Sequence, residues 1–228
     1  MNALLERLRG GLIVSVQAEP DSVLNTPEAI ALLSRCAVQN GAAGLRIEGE
    51  ARIRAVRSAL PDVPLIGILK RSHPGFEPYI TSTVAEIAAV GAAGAGIVAF
   101  DATARPRAGG STVADLVKRA HESGLLAMAD CSDEADAAAA ARCEADIVAT
   151  TLAGYTALTD GRPLPALDLV ASIAGRQRFV ICEGGIANPA QAAAAFAAGA
   201  DAIVVGTGIT NVDALVRRFA AAVPRAPR

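Results

Sequence analysis

Eight short apolar segments, each followed by a helical segment, constrain the fold of this chain more than any other feature. The segments cover residues 11–16, 44–47, 64–69, 96–100, 125–129, 147–149, 179–182 and 202–205. Apolar runs of this kind are typical of strands in a parallel sheet that helices cover. Eight strand–helix units predict a (β/α)8 TIM barrel of the phosphate-binding type. A doubly wound open sheet is the competing architecture.

Helix boundaries carry their usual signals. Thr26 is a predicted N-cap, Pro27 follows at the first helical position, and Gly41 ends that helix. The segment 2–9 predicts a short helix that closes the bottom of the barrel. Residues 72–79 contain two prolines and a glycine, so they predict a long loop after the third strand.

Composition narrows the class of protein. The 228 residues predict a single domain, 1–228, and 52% of them are apolar, enough for a large core. A net charge of −2 without a basic stripe argues against nucleic acid as a partner. The apolar run 87–100 is too short to cross a bilayer, so no membrane is expected. The four cysteines lack paired spacing and histidines number only two, which predicts reduced thiols, a cytoplasmic protein and no metal site.

The third predicted strand ends at Lys70. We expect its side chain to project from the apolar wall of the strand into any cavity above it. Burial there lowers the pKa of a lysine from its usual value of about 10.4, so that some neutral amine exists near neutrality. A neutral amine acts as a base or as a nucleophile. The alternative is a strand-end lysine that simply reaches solvent.

Polar residues follow nearly every predicted strand. Side chains two apart on a strand share a face, so Ile68 and Lys70 face the same way, as do Ile181 and Glu183. The same spacing pairs Ser15 with Gln17 and Met128 with Asp130. Because barrel enzymes carry their chemistry at these strand ends, we expect four polar groups to converge on one cavity. Arg46, Asp101, Thr150 and Thr151 also end strands, and for Asp101 capping of its own loop is an equal alternative.

Glycines follow the last two strands, at Gly184, Gly185, Gly206 and Gly208, with Thr207 between the last two. Barrels commonly bind phosphate at this position, because glycine allows the backbone amides to approach an anion. We therefore predict a phosphate site at Gly184, Gly185, Gly206 and Thr207, assisted by Arg105 or Arg107.

Over nearly its whole length the sequence resembles the N-acetylmannosamine-6-phosphate 2-epimerase family. The motifs that carry this resemblance lie at 11–17, 45–49, 66–71, 79–81, 101–107, 126–130, 150–156 and 183–186. The resemblance implies a cytoplasmic, homodimeric sugar-phosphate epimerase of sialic acid catabolism that needs no cofactor. Matched residue by residue, it makes Lys70 the catalytic base and Glu183 its acidic partner.

The same matches assign substrate contacts to Gln17, Arg46 and Asp130, and we also predict such contacts for Thr150 and Tyr155, which lie in one of the matched motifs. Two positions depart from the family pattern. Gly185 stands where the family usually has arginine, and Ser72 stands where it usually has aspartate.

Other interpretations use the same residues. Lys70 fits a sugar-phosphate aldolase that forms a Schiff base, which borohydride would trap in the presence of substrate. A sensor that binds a sugar phosphate without turning it over would exchange no hydrogen with solvent. For Glu183 itself, the alternative to catalysis is a salt bridge to Lys70 or Arg46.

Overall fold

The computed structural model describes residues 2–224, and within them eight parallel strands close into a barrel in chain order. The strands are β1 (Leu12–Val16), β2 (Gly44–Glu48), β3 (Leu65–Ile68), β4 (Ile97–Asp101), β5 (Leu126–Asp130), β6 (Ile147–Ala149), β7 (Val180–Glu183) and β8 (Ala202–Val205). Strand β1 pairs with both β2 and β8, which closes the sheet. The predicted barrel is confirmed, and the open sheet is excluded.

Helices alternate with the strands and surround the barrel. They are α1 (Ala3–Leu8), α2 (Pro27–Gln39), α3 (Glu50–Ala59), α4 (Val84–Ala92), α5 (Val113–Glu122), α6 (Glu134–Arg142), α7 (Leu167–Ile173), α8 (Pro189–Ala197) and α9 (Val212–Ala222). Local sequence fixes their starts: Thr26 accepts from the Ala29 amide ahead of Pro27, and Thr83 forms a capping box with Glu86. Within residues 2–224, no helix is both long and apolar enough to cross a membrane.

Alternation along the strands separates two apolar regions. Side chains inside the barrel form one cluster with Phe179, which precedes β7, and its strand members are Ile13, Ile66, Ile68, Ile97, Ala99, Met128, Ile147, Ala149, Ile181, Ala202 and Val204. Leu5 and Leu8 of α1 belong to the same cluster, so α1 closes the bottom of the barrel as predicted. The alternate strand residues, among them Val14, Leu45 and Cys182, pack outward against the helices. This division confirms the predicted inward faces of β3, β5 and β7.

The outer layer is packed tightly around Gly67 of β3. A Cβ atom at this position would lie 2.6 Å from Val90 Cγ1 and 2.9 Å from Ala95 Cβ. Gly67 therefore allows α4 to approach the barrel closely, and a side chain there has no space.

We expect Gly67→Ala to lower the free energy of unfolding by about 1–3 kcal/mol, because the added methyl group overpacks this contact. Urea unfolding followed by circular dichroism measures the change. Gly91→Ala on α4 is the control, since its Cβ would meet only the flexible end of Leu125 at 3.1 Å and the helix gains about 0.5–1 kcal/mol of propensity. Equal effects of the two changes would contradict this account of the packing.

Candidate active site

A cavity of about 680 Å³ opens at the C-terminal ends of the barrel strands. Its walls come from the strand ends and the loops that follow β1, β3, β6, β7 and β8. Its lining includes Gln17, Arg46, Lys70, Tyr155, Glu183, Gly184, Gly185, Gly206 and Thr207, all of them predicted site residues. The fold therefore brings most of the predicted site together in one space.

Arg46 lies at the centre of the cavity floor and reaches across the barrel from β2. Its Nη2 is 2.6 Å from Oδ2 of Asp130, and its Nη1 is 3.1 Å from Oδ1 of the same carboxylate. Nη1 is also 2.8 Å from Oε2 of Glu183. The side chains of Arg46 and Asp130 are almost fully buried, and that of Glu183 is 13% exposed. One guanidinium is thus shared by two carboxylates, in the salt bridge that was the alternative interpretation of Glu183.

The position of Thr151 makes the two carboxylates unequal. Its Oγ1 is 2.7 Å from Asp130 Oδ1 and 3.2 Å from Glu183 Oε2. A hydroxyl has one proton to donate, and the shorter contact is to Asp130. Asp130 therefore has two Arg46 hydrogen bonds and the stronger threonine contact, while Glu183 has one Arg46 hydrogen bond.

This arrangement favours a proton on Glu183. Burial raises the pKa of its carboxyl group to about 7, and the negative charge of Asp130 acts in the same direction, although Arg46 opposes both. Glu183 therefore changes protonation state near neutrality, which suits a group that donates and accepts protons.

Lys70 lies just past the end of β3, on the side of the barrel opposite β7. Its backbone is held by a short antiparallel bridge to Ile80, flanked by hydrogen bonds between Arg71 N and Tyr79 O and between Thr81 N and Leu69 O. Although the residue is exposed to the cavity, protein atoms crowd its ammonium group. This desolvation lowers the pKa of Lys70, and the charge of Arg46 lowers it further. Within residues 2–224, no carboxylate forms a salt bridge with Lys70, so its amine is available.

The loops around the cavity place the remaining predicted substrate residues. Gln17 donates from Nε2 to Ser15 Oγ at 2.7 Å, which orients its amide at the end of β1. Tyr155, from the loop after β6, is exposed beside Gly184. Asp130 is fully buried behind Arg46, so the structure places it beneath the cavity wall and not on its surface.

Thr150 is a correction to the predicted set. Its hydroxyl donates to the Glu183 carbonyl at 2.9 Å and accepts from the Glu183 amide at 3.1 Å, and the residue is fully buried. It joins β6 to β7 and does not line the cavity. Thr151 lines it instead, because Ile147, Ala149 and Thr151 alternate onto the inner face. Counting in twos along β6 would have identified Thr151 from the sequence.

The expectation that Arg105 or Arg107 assists phosphate binding is wrong. Arg105 Nη2 is 2.7 Å from Asp101 Oδ2, and Arg107 donates to the carbonyl groups of Asp101 and Thr103. Asp101 also accepts from the amide and the hydroxyl of Thr103, at 3.0 Å and 2.6 Å. These groups fold the loop after β4 upon itself, and of the two alternatives for Asp101 the structure shows the loop cap.

The glycine-rich end of the cavity presents free backbone donors. Within the described residues, the amides of Gly184, Gly185, Thr207 and Gly208 donate to no acceptor, although all four residues line the cavity. Gly185 has a φ of +74°, and a Cβ there would lie 2.4 Å from the Leu164 Cβ. The position therefore requires glycine, and the unpaired amides provide an anion cradle.

The predicted set omits several residues of the cavity wall, among them Tyr79 and Arg218. Tyr79 faces the cavity from the loop after β3, and Arg218 does so from α9. Arg218 shares a helix face with Asn211, Ala214 and Leu215, a spacing that helix periodicity would have revealed. Within residues 2–224, no group of three or more His, Cys, Asp or Glu side chains is arranged to hold a metal ion.

Comparisons with known proteins agree on one family. A family model described as "Putative N-acetylmannosamine-6-phosphate epimerase" matches residues 30–225. A curated protein of Synechococcus elongatus, named "Putative N-acetylmannosamine-6-phosphate 2-epimerase", is 46% identical over 226 residues, covering 98% of this chain and 97% of the relative.

Solved structures extend the comparison to the fold. The N-acetylmannosamine-6-phosphate 2-epimerase from Clostridium perfringens superposes with a TM-score of 0.93 at 34% identity, covering 97% of each chain. A thiamine phosphate pyrophosphorylase from Pyrococcus furiosus superposes with a TM-score of 0.62 at 16% identity and 96% coverage of each chain, a likeness of fold alone. By its sequence profile, its relatives and its structure, the chain belongs to the N-acetylmannosamine-6-phosphate 2-epimerase family.

Proposed function

We propose that this barrel interconverts N-acetylmannosamine 6-phosphate and N-acetylglucosamine 6-phosphate by removing and returning the proton on carbon 2. The observation that carries the proposal is the placement of two proton-transfer groups across one cavity. The unpaired amine of Lys70 follows β3, and the carboxyl group of Glu183, with its raised pKa, ends β7 on the opposite side. Inversion at carbon 2 returns the proton to the opposite face, either through two groups on opposite sides of that carbon or through one group and a substrate that turns, and the two groups here favour the first route.

Lys70 is the base. Opening of the sugar ring exposes an aldehyde at carbon 1, which acidifies the hydrogen on carbon 2. The neutral amine takes that hydrogen, and its lowered pKa increases the neutral fraction near neutrality. The chain has two lysines, Lys70 and Lys118. Its arginines keep their proton near pH 7 and so cannot act as bases. A lysine at this position can therefore act as the base, which an arginine could not.

Arg46 and Glu183 serve the enolate. The guanidinium is fixed by Asp130 before substrate arrives, so it stabilises negative charge on the carbon 1 oxygen without reorganising. Glu183, protonated, delivers a proton to carbon 2 from the face opposite Lys70. It is also placed to assist ring opening. The cycle closes when the Lys70 ammonium loses its proton and Glu183 regains one.

The phosphate group lies at the glycine-rich end. The free amides of Gly184, Gly185 and Thr207 supply donors to its oxygens, with Gly206 shaping the turn after β8. Gln17 and Tyr155 border the sugar between the two ends of the cavity. Anchoring of the distant phosphate fixes carbon 2 between the two proton-transfer groups.

We assign the enzyme to the cytoplasm and to sialic acid catabolism, in keeping with the family resemblance. The charge on a sugar phosphate prevents unaided passage through a bilayer, so the substrate stays in the compartment where it is made.

The proposed chemistry is tested by proton NMR in deuterated water. The original chain is expected to form N-acetylglucosamine 6-phosphate carrying deuterium at carbon 2. Lys70→Met should slow both epimerisation and exchange by about 10²- to 10⁴-fold, because it removes a positioned base. Lys70→Arg should restore little activity.

Lys118→Met is the matched control, since Lys118 lies on α5 with its side chain 76% exposed. Borohydride should trap no adduct with substrate, whereas reduction onto Lys70 would favour the aldolase. A folded Lys70→Met protein with normal exchange would refute the assignment of the base.

Glu183 gives a prediction for stability against pH. Its pKa is 4.5 in the unfolded chain and about 7 in the folded one, so the folded protein holds the proton more tightly. The stability that this proton contributes is present below pH 4.5 and is lost as the pH rises through about 7. Glu183→Gln cannot ionise and lacks this loss. Between pH 5 and pH 8 the variant should therefore gain about 1–3 kcal/mol relative to the original chain, measured by urea unfolding.

The prediction concerns how the difference in unfolding free energy changes with pH. A pH-independent effect of the substitution on stability therefore cancels. Glu48→Gln is the control, because Glu48 forms its salt bridge with Arg52 at the edge of the barrel. A difference between Glu183→Gln and the original chain that does not vary with pH would show that Glu183 is ionised throughout.

Helix α9 supports the homodimer that the family resemblance implies. Val212, Val216 and Phe219 follow helical spacing on one face of α9, Val223 comes directly after the helix, and each is between 43% and 72% exposed. None of the described residues of α9 is buried. An exposed apolar stripe on such a helix is a suitable surface for packing against a second copy of the chain.

We expect the original chain to sediment as a dimer and Val216→Glu to shift it towards monomer. Val84→Glu, also at an exposed valine but on α4, should leave the dimer intact. A monomeric original chain at micromolar concentration would contradict the proposal.

A further inference from the structure

We propose that Arg218 is the side chain that binds the phosphate of the substrate and so selects phosphorylated over unphosphorylated sugars. The identity of the sugar phosphate rests on the proposed function. The binding of a phosphate anion by Arg218 does not depend on it. The amides at Gly184–Gly185 and Thr207–Gly208 are neutral donors, and a phosphate dianion bound there gains from a full positive charge.

Helix α9 directs Arg218 into the cavity. Asn211, Ala214, Leu215 and Arg218 all line it, and their spacing places them on one face of the helix. Asn211 caps the helix and follows directly on the turn that carries Thr207 and Gly208. Side chains on a helix lean towards its N-terminus, so the long side chain of Arg218 leans back towards that turn.

Of the described cationic side chains that line the cavity, Arg218 is the one available to bind phosphate. Among the described residues, the cationic side chains of the lining are Arg46, Lys70 and Arg218. Arg46 is held by Asp130 and Glu183, and Lys70 is the proposed base. Within residues 2–224, Arg218 has neither a salt bridge nor a hydrogen bond, although its neighbour Arg217 is paired with Glu19.

In the described part of the chain, two carboxylates line the cavity, those of Glu19 and Glu183. An unpaired Glu19 would repel an anion at the glycine-rich end of the cavity, so its pairing matters. Its Oε1 contacts Arg217 Nη2 and lies 3.4 Å from Asn211 Nδ2. The hydrogen bond from Arg217 lowers the pKa of Glu19, so the carboxylate stays ionised and paired. Arg217 thus offsets the charge of Glu19, and the charge of Arg218 remains for a ligand.

An arginine suits this position because its planar guanidinium donates two parallel hydrogen bonds to phosphate oxygens. The free amides of the two loops approach the same anion from the barrel side. Without Arg218 the amide cradle remains but has no formal charge, so binding should weaken without a change in the reacting groups.

The test is isothermal titration calorimetry of inorganic phosphate and N-acetylglucosamine 6-phosphate against the original chain and three variants. Arg218→Gln should weaken binding of both by about 10- to 100-fold, as expected for loss of a hydrogen-bonded charge. Arg218→Lys should restore part of the loss. The control is Arg178→Gln, which removes the same charge just before β7 begins, at the other end of the barrel. It should bind within about twofold of the original chain.

Kinetics give a second readout. Arg218→Gln should raise KM for the phosphorylated sugar with little change in kcat, because it removes a contact to the distant phosphate and no reacting group. An original chain that binds phosphate through Arg218 but does not epimerise would refute the proposed function and leave this inference standing. An original chain that does not bind phosphate, or an Arg218→Gln protein that binds like Arg178→Gln, would overturn the inference.

Discussion

One buried guanidinium shared by two carboxylates organises the upper half of this barrel. Arg46 links β2 to Asp130 on β5 and to Glu183 on β7, so it connects strands from different parts of the wall. Removing charges from water is costly, and a buried salt bridge is tolerated when each partner is well hydrogen-bonded. Asp130 meets that condition more fully than Glu183. Because Asp130 is better hydrogen-bonded than Glu183, Glu183 can carry a proton for transfer while Asp130 holds Arg46 in place as a fixed cation.

The rest of the cavity follows from that contact. Among the described residues, Arg46 takes both carboxylates of the floor and none forms a salt bridge with Lys70, so the pKa of Lys70 falls through desolvation. Glycines on the far side leave amides unpaired, and Leu164 fills the space where a side chain at Gly185 would begin. The departure from the family at position 185 therefore has a steric basis in this chain. The base therefore lies on one side of the cavity, and the acid and the anion cradle lie on the opposite side.

Much of this arrangement is predictable because it depends on alternation. A strand with two covered faces points every second side chain inward, so the inward positions of Ile66 and Ile68 predict the direction of the Lys70 side chain. The same rule places Gln17 and Glu183. Applied to β6, it favours Thr151 over the predicted Thr150. Alternation says nothing about Arg105 and Arg107, because the partners of a loop arginine depend on how the loop folds.

The barrel, the strand ends and most of the residues that meet above them are predictable from the sequence. Strand periodicity, helix caps and glycine positions are local properties, and eight strand–helix units in order leave few topologies. The ion pairs of the cavity emerge only in the folded chain: Glu183 shares Arg46 with Asp130, and the Lys70 side chain has no salt-bridge partner among the described residues. The folded chain also brings Arg218 of α9 to the cavity. The physical reason is that pKa values and charge partners depend on burial and on distances between residues far apart in the chain.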